Sequence, residues 1–341
     1  MQASWLFQQK SYLMNDDKKI DSIFHYTNEE GLRGIITSKT LWATDFRWLN
    51  DNEELKSAKR LIFSWLQPQV SIWGGILHEK AKNDKDYQVM LQKHDGDRKK
   101  IIDNATQHLA WSLNNVLENY KIFITSFCNH GKAGSFAYKH GYLSMWRAYG
   151  GKKAYAIEMD YKKIHEMFKT ETKIIHVDYP YFDAVEYCFS DQLCTIEQRF
   201  AKHQEHINDI VIGILTEGYD WRFTNEQMYH LLDLFINVKH EGFAEEREVR
   251  AAFALTANYA QNAKDAAKNG EALKPEKRVH CDNIPRIHFF EGLKSKLPIT
   301  RIIVGPHENK HRHADELQYW LQYHKFDIPV TISDIPFRGM Q

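Results

Sequence analysis

The β-forming runs of this chain are short and unevenly placed, and that spacing restricts its fold more than any other feature. Residues 23–27 (IFHYT), 41–44 (LWAT), 121–127 (KIFITSF), 153–159, 173–179, 246–255 (EREVRAAFAL), 286–290, 300–304 and 330–333 are rich in β-branched and aromatic residues. Between them lie helical blocks of very different length. A doubly wound parallel sheet needs a regular strand–helix alternation, and this order does not supply it. The expected fold class is α+β.

The first helix should span residues 28–38, with Asn28 as N-cap and Gly31 and Gly34 weakening it. Residues 51–120 form a long charged helical block. Pro68 and the Gly74-Gly75 pair are expected to break it, and Asp51 with Glu54 forms a capping box at its start. Shorter helices are expected over 161–168, 194–215, 225–238 and 307–324. A Gly-containing loop follows at 129–134, and the polar stretch 258–276 reads as an exposed loop or helix. The blocks 51–120 and 190–240 read as helical insertions in one domain spanning 1–341.

Hydrophobic residues make up 43% of the 341 and charged residues 26%, enough apolar chain for a sizeable core. Lys and Arg number 45 against 45 Asp and Glu, so bulk charge points to neither a nucleic-acid nor a membrane surface. A local basic groove stays compatible with that balance. The 4 cysteines are scattered without a CxxC pair, as expected of reduced thiols in the cytoplasm. Residues 1–20 lack a basic segment followed by an apolar one, so no secretory leader is expected. No apolar run approaches the roughly 20 residues of a membrane helix.

Three constellations can carry chemistry. On a strand, His25 and Thr27 share one face and Tyr26 the other. An imidazole beside a hydroxyl can bind a sugar hydroxyl, or both can be satisfied within a core. Further along, Glu246, Glu248 and Arg250 would share a strand face followed by the small Ala252 and Ala254. Such a face suits a ligand-binding cleft or a row of cross-strand ion pairs. Lastly, Ser126 on a β run precedes LSMWRAYGG, where Trp146, Arg147 and Tyr149 could stack on a base and pair with a phosphate, or form an amphipathic turn on the core. His307 and His311 stand four apart, a weak metal signal without an HExxH context. Rossmann, Walker A, GxSxG and CxxC motifs are absent.

Taken in order, FHYTNEEGLRGIITSKTLWATDFRWLNDNEE, FITSF, LSMWRAYGG, EREVR and ITRIIVGP with ISDIPFR resemble a bacterial family of unknown function found among abortive-infection phage-defence genes. That family in turn resembles the ADP-ribosyltransferase superfamily. The resemblance implies a split mixed β core with NAD as cofactor. It places Glu248 and Glu246 as catalytic carboxylates, and His25, Tyr26, Thr27, Ser126, Trp146, Arg147 and Tyr149 at the cofactor. It implies a toxin or defence effector acting on RNA or DNA ahead of protein, with an antitoxin as a plausible partner. Two alternatives stay open: a Mg²⁺ nuclease built on Glu246, Glu248 and Asp51, and a non-enzymatic nucleotide sensor.

Overall fold

A computed structural model of the chain describes residues 20–49, 53–149, 153–188, 204–218, 224–256, 268 and 277–336, except positions 86, 89–91, 93–95, 176, 178 and 282. The expected Asp51 cap, the Gly150-Gly151 pair and nearly all of 258–276 lie outside the described residues.

A mixed sheet organises the chain. Strands β1 (Ser22–Asn28), β2 (Leu41–Asp45), β3 (Tyr120–Cys128), β4 (Ala154–Asp160), β5 (Tyr179–Ala184), β8 (Glu248–Thr256), β9 (Val279–Cys281), β10 (Pro285–Phe289), β11 (Ile299–Val304) and β12 (Val330–Ile332) belong to it. Along its length the order is β12-β11-β4-β1-β3-β2-β10-β9, and β8 pairs with both β3 and β5. β11 and β12 run parallel; the other pairs are antiparallel. A separate parallel ribbon joins β6 (Glu186–Cys188) to β7 (Val238–His240).

β3 is the hub. One edge pairs with β8 along its full length, from Tyr120↔Thr256 to Cys128↔Glu248. The other edge is shared. β2 pairs with it at Phe123 and Ile124, and β1 meets it only at Cys128. Between these contacts the two strands part, and side chains take over. His25 Nδ1 donates to the Ser126 carbonyl at 3.0 Å, and Thr125 Oγ1 donates to the Trp42 carbonyl at 2.6 Å.

Helices α2 (Glu53–Ala81), α3 (Arg98–Asn119), α7 (Gln204–Glu217) and α8 (Asn225–Asn237) cover one sheet face. They share a hydrophobic cluster with Ile122, Ile124, Ala252 and Ala254. Helices α1 (Glu29–Ser38), α6 (Tyr161–Ile174) and α9 (Lys310–Tyr323) cover the opposite face, around Phe123, Ile157 and Phe253. A third cluster joins Phe24, Tyr26 and Ile303 to α5 (Leu143–Tyr149), which follows the short α4 (Phe136–His140).

Three expectations are corrected. α2 is one helix that continues through Pro68 and Gly74-Gly75. The glycines serve close approach instead of breakage: a Cβ on Gly74 would lie 2.7 Å from Ile102, and one on Gly75 would lie 2.6 Å from Arg98, both on α3. Buried Ala58, Ile62, Trp65, Leu66, Val70 and Leu77 hold α2 in place, so packing overrides local propensity. Residues 173–174 end α6 instead of opening a strand, and β5 begins at Tyr179. The buried positions Tyr161, Ile164, Phe168 and Glu171 keep the helical period to the last turn. His307 precedes α9, so it and His311 are not a helical i,i+4 pair; its ring instead lies 4.7 Å from His313.

Candidate functional site

The fork between β1 and β2 brings together residues from three distant parts of the chain. Ser126 sits on β3 opposite Arg250 and diagonal to Glu248. Its side chain therefore shares a pleat face with both. Ser126 Oγ donates to Glu248 Oε1 at 2.5 Å, and the Ser126 carbonyl accepts from His25. A carbonyl can only accept, so His25 carries its proton on Nδ1 and leaves Nε2 as an acceptor. Ser126 is exposed, which opens the Glu248 side of the fork to solvent, whereas the partly exposed His25 shares the opposite sheet face with Ile157 and Phe127 and touches the group only through the Ser126 carbonyl. Burial lowers the His25 pKa from its ordinary value, while the bond to the Ser126 carbonyl pulls the other way.

Glu248 is only 4% exposed, and each of its oxygens has two donors. Oε1 accepts from Ser126 Oγ and from Arg250 Nε at 2.7 Å. Oε2 accepts from Lys239 Nζ at 2.9 Å and Arg250 Nη2 at 3.1 Å. Burial alone would raise this carboxyl, but the Arg250 guanidinium and Lys239 ammonium outweigh it and hold the pKa at about 2. The group is an anion at every physiological pH. The β6–β7 ribbon roofs it: Lys239 comes from β7, and Tyr187 on β6 accepts the Glu248 backbone N–H at 2.8 Å.

Glu246 does not share the strand with Glu248. It ends a 3-10 turn, Glu241–Glu246, and β8 begins at Glu248. Arg247 between them has φ +43°, in the left-handed region, which resets the pleat. The two carboxylates still meet at a common partner, because Lys239 Nζ lies 2.5 Å from Glu246 Oε2. The Glu248–Arg250 half of the expected face is present. It is a buried ion-pair cluster, since β8 is covered on both edges and both faces.

The remaining predicted residues divide. Thr27 is partly buried beside His25 and packs on the first turn of α1, where a Cβ on Gly31 would lie 2.1 Å from Thr27 Oγ1. Tyr26, on the other face of β1 from His25, and Trp146 on α5 are core residues with ring centroids 4.7 Å apart, and neither presents a face to solvent. Tyr26 Oη meets His130 Nε2 at 2.8 Å and accepts the Tyr142 N–H. Arg147 and Tyr149 are exposed on α5, which packs against the turn carrying Glu246. Sequence reasoning missed Lys239 and Tyr187. Their ribbon strands are three residues each, too short to give a periodic signal. A concave patch along α6, lined by Lys162, Met167, Thr170 and Leu293, holds none of these groups.

Fold and site together define a mixed α/β protein with a forked sheet and a buried, ionised carboxylate at the fork. Residues 145–251 match the profile of a family described as a protein of unknown function, DUF2971. The matched span carries Arg147, Lys239, Glu246, Glu248 and Arg250, while His25 and Ser126 lie outside it. No curated protein and no solved structure matches the chain. No helix of the described residues is long and apolar enough to cross a membrane.

Proposed function

We propose that this chain is an ADP-ribosyltransferase-like enzyme, a toxin or phage-defence effector that transfers ADP-ribose from NAD to RNA or DNA ahead of protein. One observation carries the reading: the Ser126–Glu248 hydrogen bond at the β1/β2 fork, with His25 on the Ser126 carbonyl. These are the positions that the resemblance assigns to one cofactor site. In the reaction the nicotinamide–ribose bond breaks and its electron pair leaves with nicotinamide. The acceptor then bonds to C1′ and gives up a proton. The Glu248 carboxylate stabilises positive charge developing on the ribose, and a ribose hydroxyl takes the place of Ser126 Oγ on it. Arg147 with Tyr149 reaches the pyrophosphate and base from the exposed face of α5.

The nuclease alternative fits less well. Lys239 already stands between Glu246 and Glu248, at 2.5 and 2.9 Å, where Mg²⁺ would have to bind. Incubation with NAD labelled in the adenylate moiety, together with RNA, DNA and protein fractions, tests the reading. Covalent label on an acceptor, lost in Arg147→Ala and reduced in Ser126→Ala, is the expected result. Mg²⁺-dependent cleavage without NAD, or saturable NAD binding with no turnover, would overturn it.

A further inference from the structure

On the sheet edge beyond β2, two histidines and a carboxylate converge. In the β9–β10 hairpin His280 pairs with Arg286, which places it diagonal to His288 on the same pleat face. Their rings stack at 4.0 Å with an interplanar angle of 8°. Glu291 follows in the turn after β10, and one ligating atom from each of the three lies within 4.8 Å of the others. His280 Nε2 is buried and makes no hydrogen bond; its distance to Glu291 Oε2 is 3.8 Å. A buried ring nitrogen without a partner is costly, and a cation at this point would satisfy it.

The surroundings hold this cluster in place. Glu171 on α6 is fully buried and binds Lys277 Nζ at 2.5 Å and the Phe290 backbone N–H at 2.9 Å. These anchors lie three residues before His280 and directly before Glu291. On the other side, Trp42 stacks on His288 with centroids 5.7 Å apart. Both ends of the hairpin are thus fixed independently of any ion.

We infer that His280, His288 and Glu291 form a binding site for a Zn²⁺-class cation that clasps the edge strand β9 to β10 and the following turn. Two imidazoles and one carboxylate are the donor set that Zn²⁺ takes, with a fourth position open to water. Bonds of roughly 2.0–2.1 Å put tetrahedral ligand atoms about 3.4 Å apart, so the cluster must contract slightly. Glu291, 43% exposed, is free to make that adjustment by side-chain rotation. This site stands apart from the proposed transfer reaction.

The test is calorimetric titration of the chelator-treated full chain with Zn²⁺, with Co²⁺ substitution for visible spectra. One equivalent should bind, and the Co²⁺ bands should report tetrahedral nitrogen–oxygen coordination. Glu291→Gln should weaken binding at least about tenfold, and His288→Gln should abolish it, as expected when one of three ligands is lost. Glu291 is a surface residue, so its variant keeps the fold, and melting curves without metal check this. Absence of binding, or equal affinity in wild type and both variants, would overturn the assignment. The second result would place the ion on other histidines, such as His307 and His313.

Discussion

Replacing Glu248 by Gln is the most informative single change, because the structure makes it far from silent. Wild-type Glu248 offers two acceptor oxygens to four donors, and a glutamine offers one oxygen and one NH₂ group. With the amide oxygen at the Oε1 position, its NH₂ faces Lys239 Nζ and Arg250 Nη2, both donors. With the amide flipped, the NH₂ faces Arg250 Nε instead. Either way a buried cation loses one of its acceptors. Lys239 and Arg250 are 4% and 2% exposed, so water does not replace it. Breaking such a pair costs about 3–5 kcal/mol. Lys239 keeps Glu246 and Arg250 keeps the Ile236 carbonyl, which argues for the lower end. The melting temperature at neutral pH should fall by on the order of 5–10 °C. The pH dependence gives a second readout. The folded-state pKa of about 2 lies below the ordinary 4.5, so the stabilisation is complete above pH 4.5 and is lost as pH falls toward 2. That interval corresponds to about 3 kcal/mol in the wild type and to nothing in the variant. The gap between the two proteins should therefore close as the solution is acidified. Calorimetric melts across that range measure it. Equal melting at neutral pH, or a gap that does not change with pH, would refute the reasoning.

Other consequences are more local. Ser126→Ala removes one hydrogen bond at an exposed residue and leaves the Glu248 charge paired. It should cost only about 0.5–1.5 kcal/mol in denaturant titrations, which makes it the cleaner probe of activity. Gly31→Ala would place a methyl group 2.1 Å from Thr27 Oγ1; the forced shift should cost about 1–3 kcal/mol by the same titration and perturb the His25 strand in NMR spectra. Lys277→Met leaves the fully buried Glu171 without its ammonium partner and should cost about 3–5 kcal/mol. The Lys277→Met/Glu171→Met double variant should recover much of that loss, and failure to do so would show that the pair is not the source.

Much of the strand layout was legible because period-2 apolar runs survive in any context. The runs at 23–27, 121–127, 286–290 and 300–304 all became strands with ends displaced by a residue or two. The Asn28 cap was legible for the same kind of reason, since its Oδ1 accepts the Gly31 N–H at 2.8 Å, a purely local bond. What failed was local reading of breakers where tertiary packing decides. Pro68 and Gly74 sit inside α2 because the partner helix, not propensity, holds that segment. Residues 173–174 looked β-forming, yet the buried Glu171 ties the end of α6 to Lys277 and Phe290, more than a hundred positions away. No window along the chain contains that information.

The site was legible as fragments but not in its chemistry. The resemblance assigned Ser126 and Glu248 to one site, and a hydrogen bond of 2.5 Å joins them. Charge state was out of reach, because Lys239 comes from a strand three residues long across a parallel ribbon. That missing residue changes which role Glu248 can take in the proposed reaction. A carboxylate held at about 2 is a very weak base at neutral pH, so it cannot be the group that removes the acceptor's proton. Its role there is that of a fixed anion and hydrogen-bond acceptor, and two buried cations prevent it from swinging toward substrate. A ribose hydroxyl reaches it only by displacing Ser126 Oγ, its one partner on an exposed residue. Ser126 then holds the carboxylate oxygen that the substrate is to occupy, keeping it satisfied until the exchange. Proton removal falls to another group. In the proposed reaction that role goes to Glu246, which lies outside the sheet with 17% of its side chain exposed and has Lys239 Nζ at 2.5 Å.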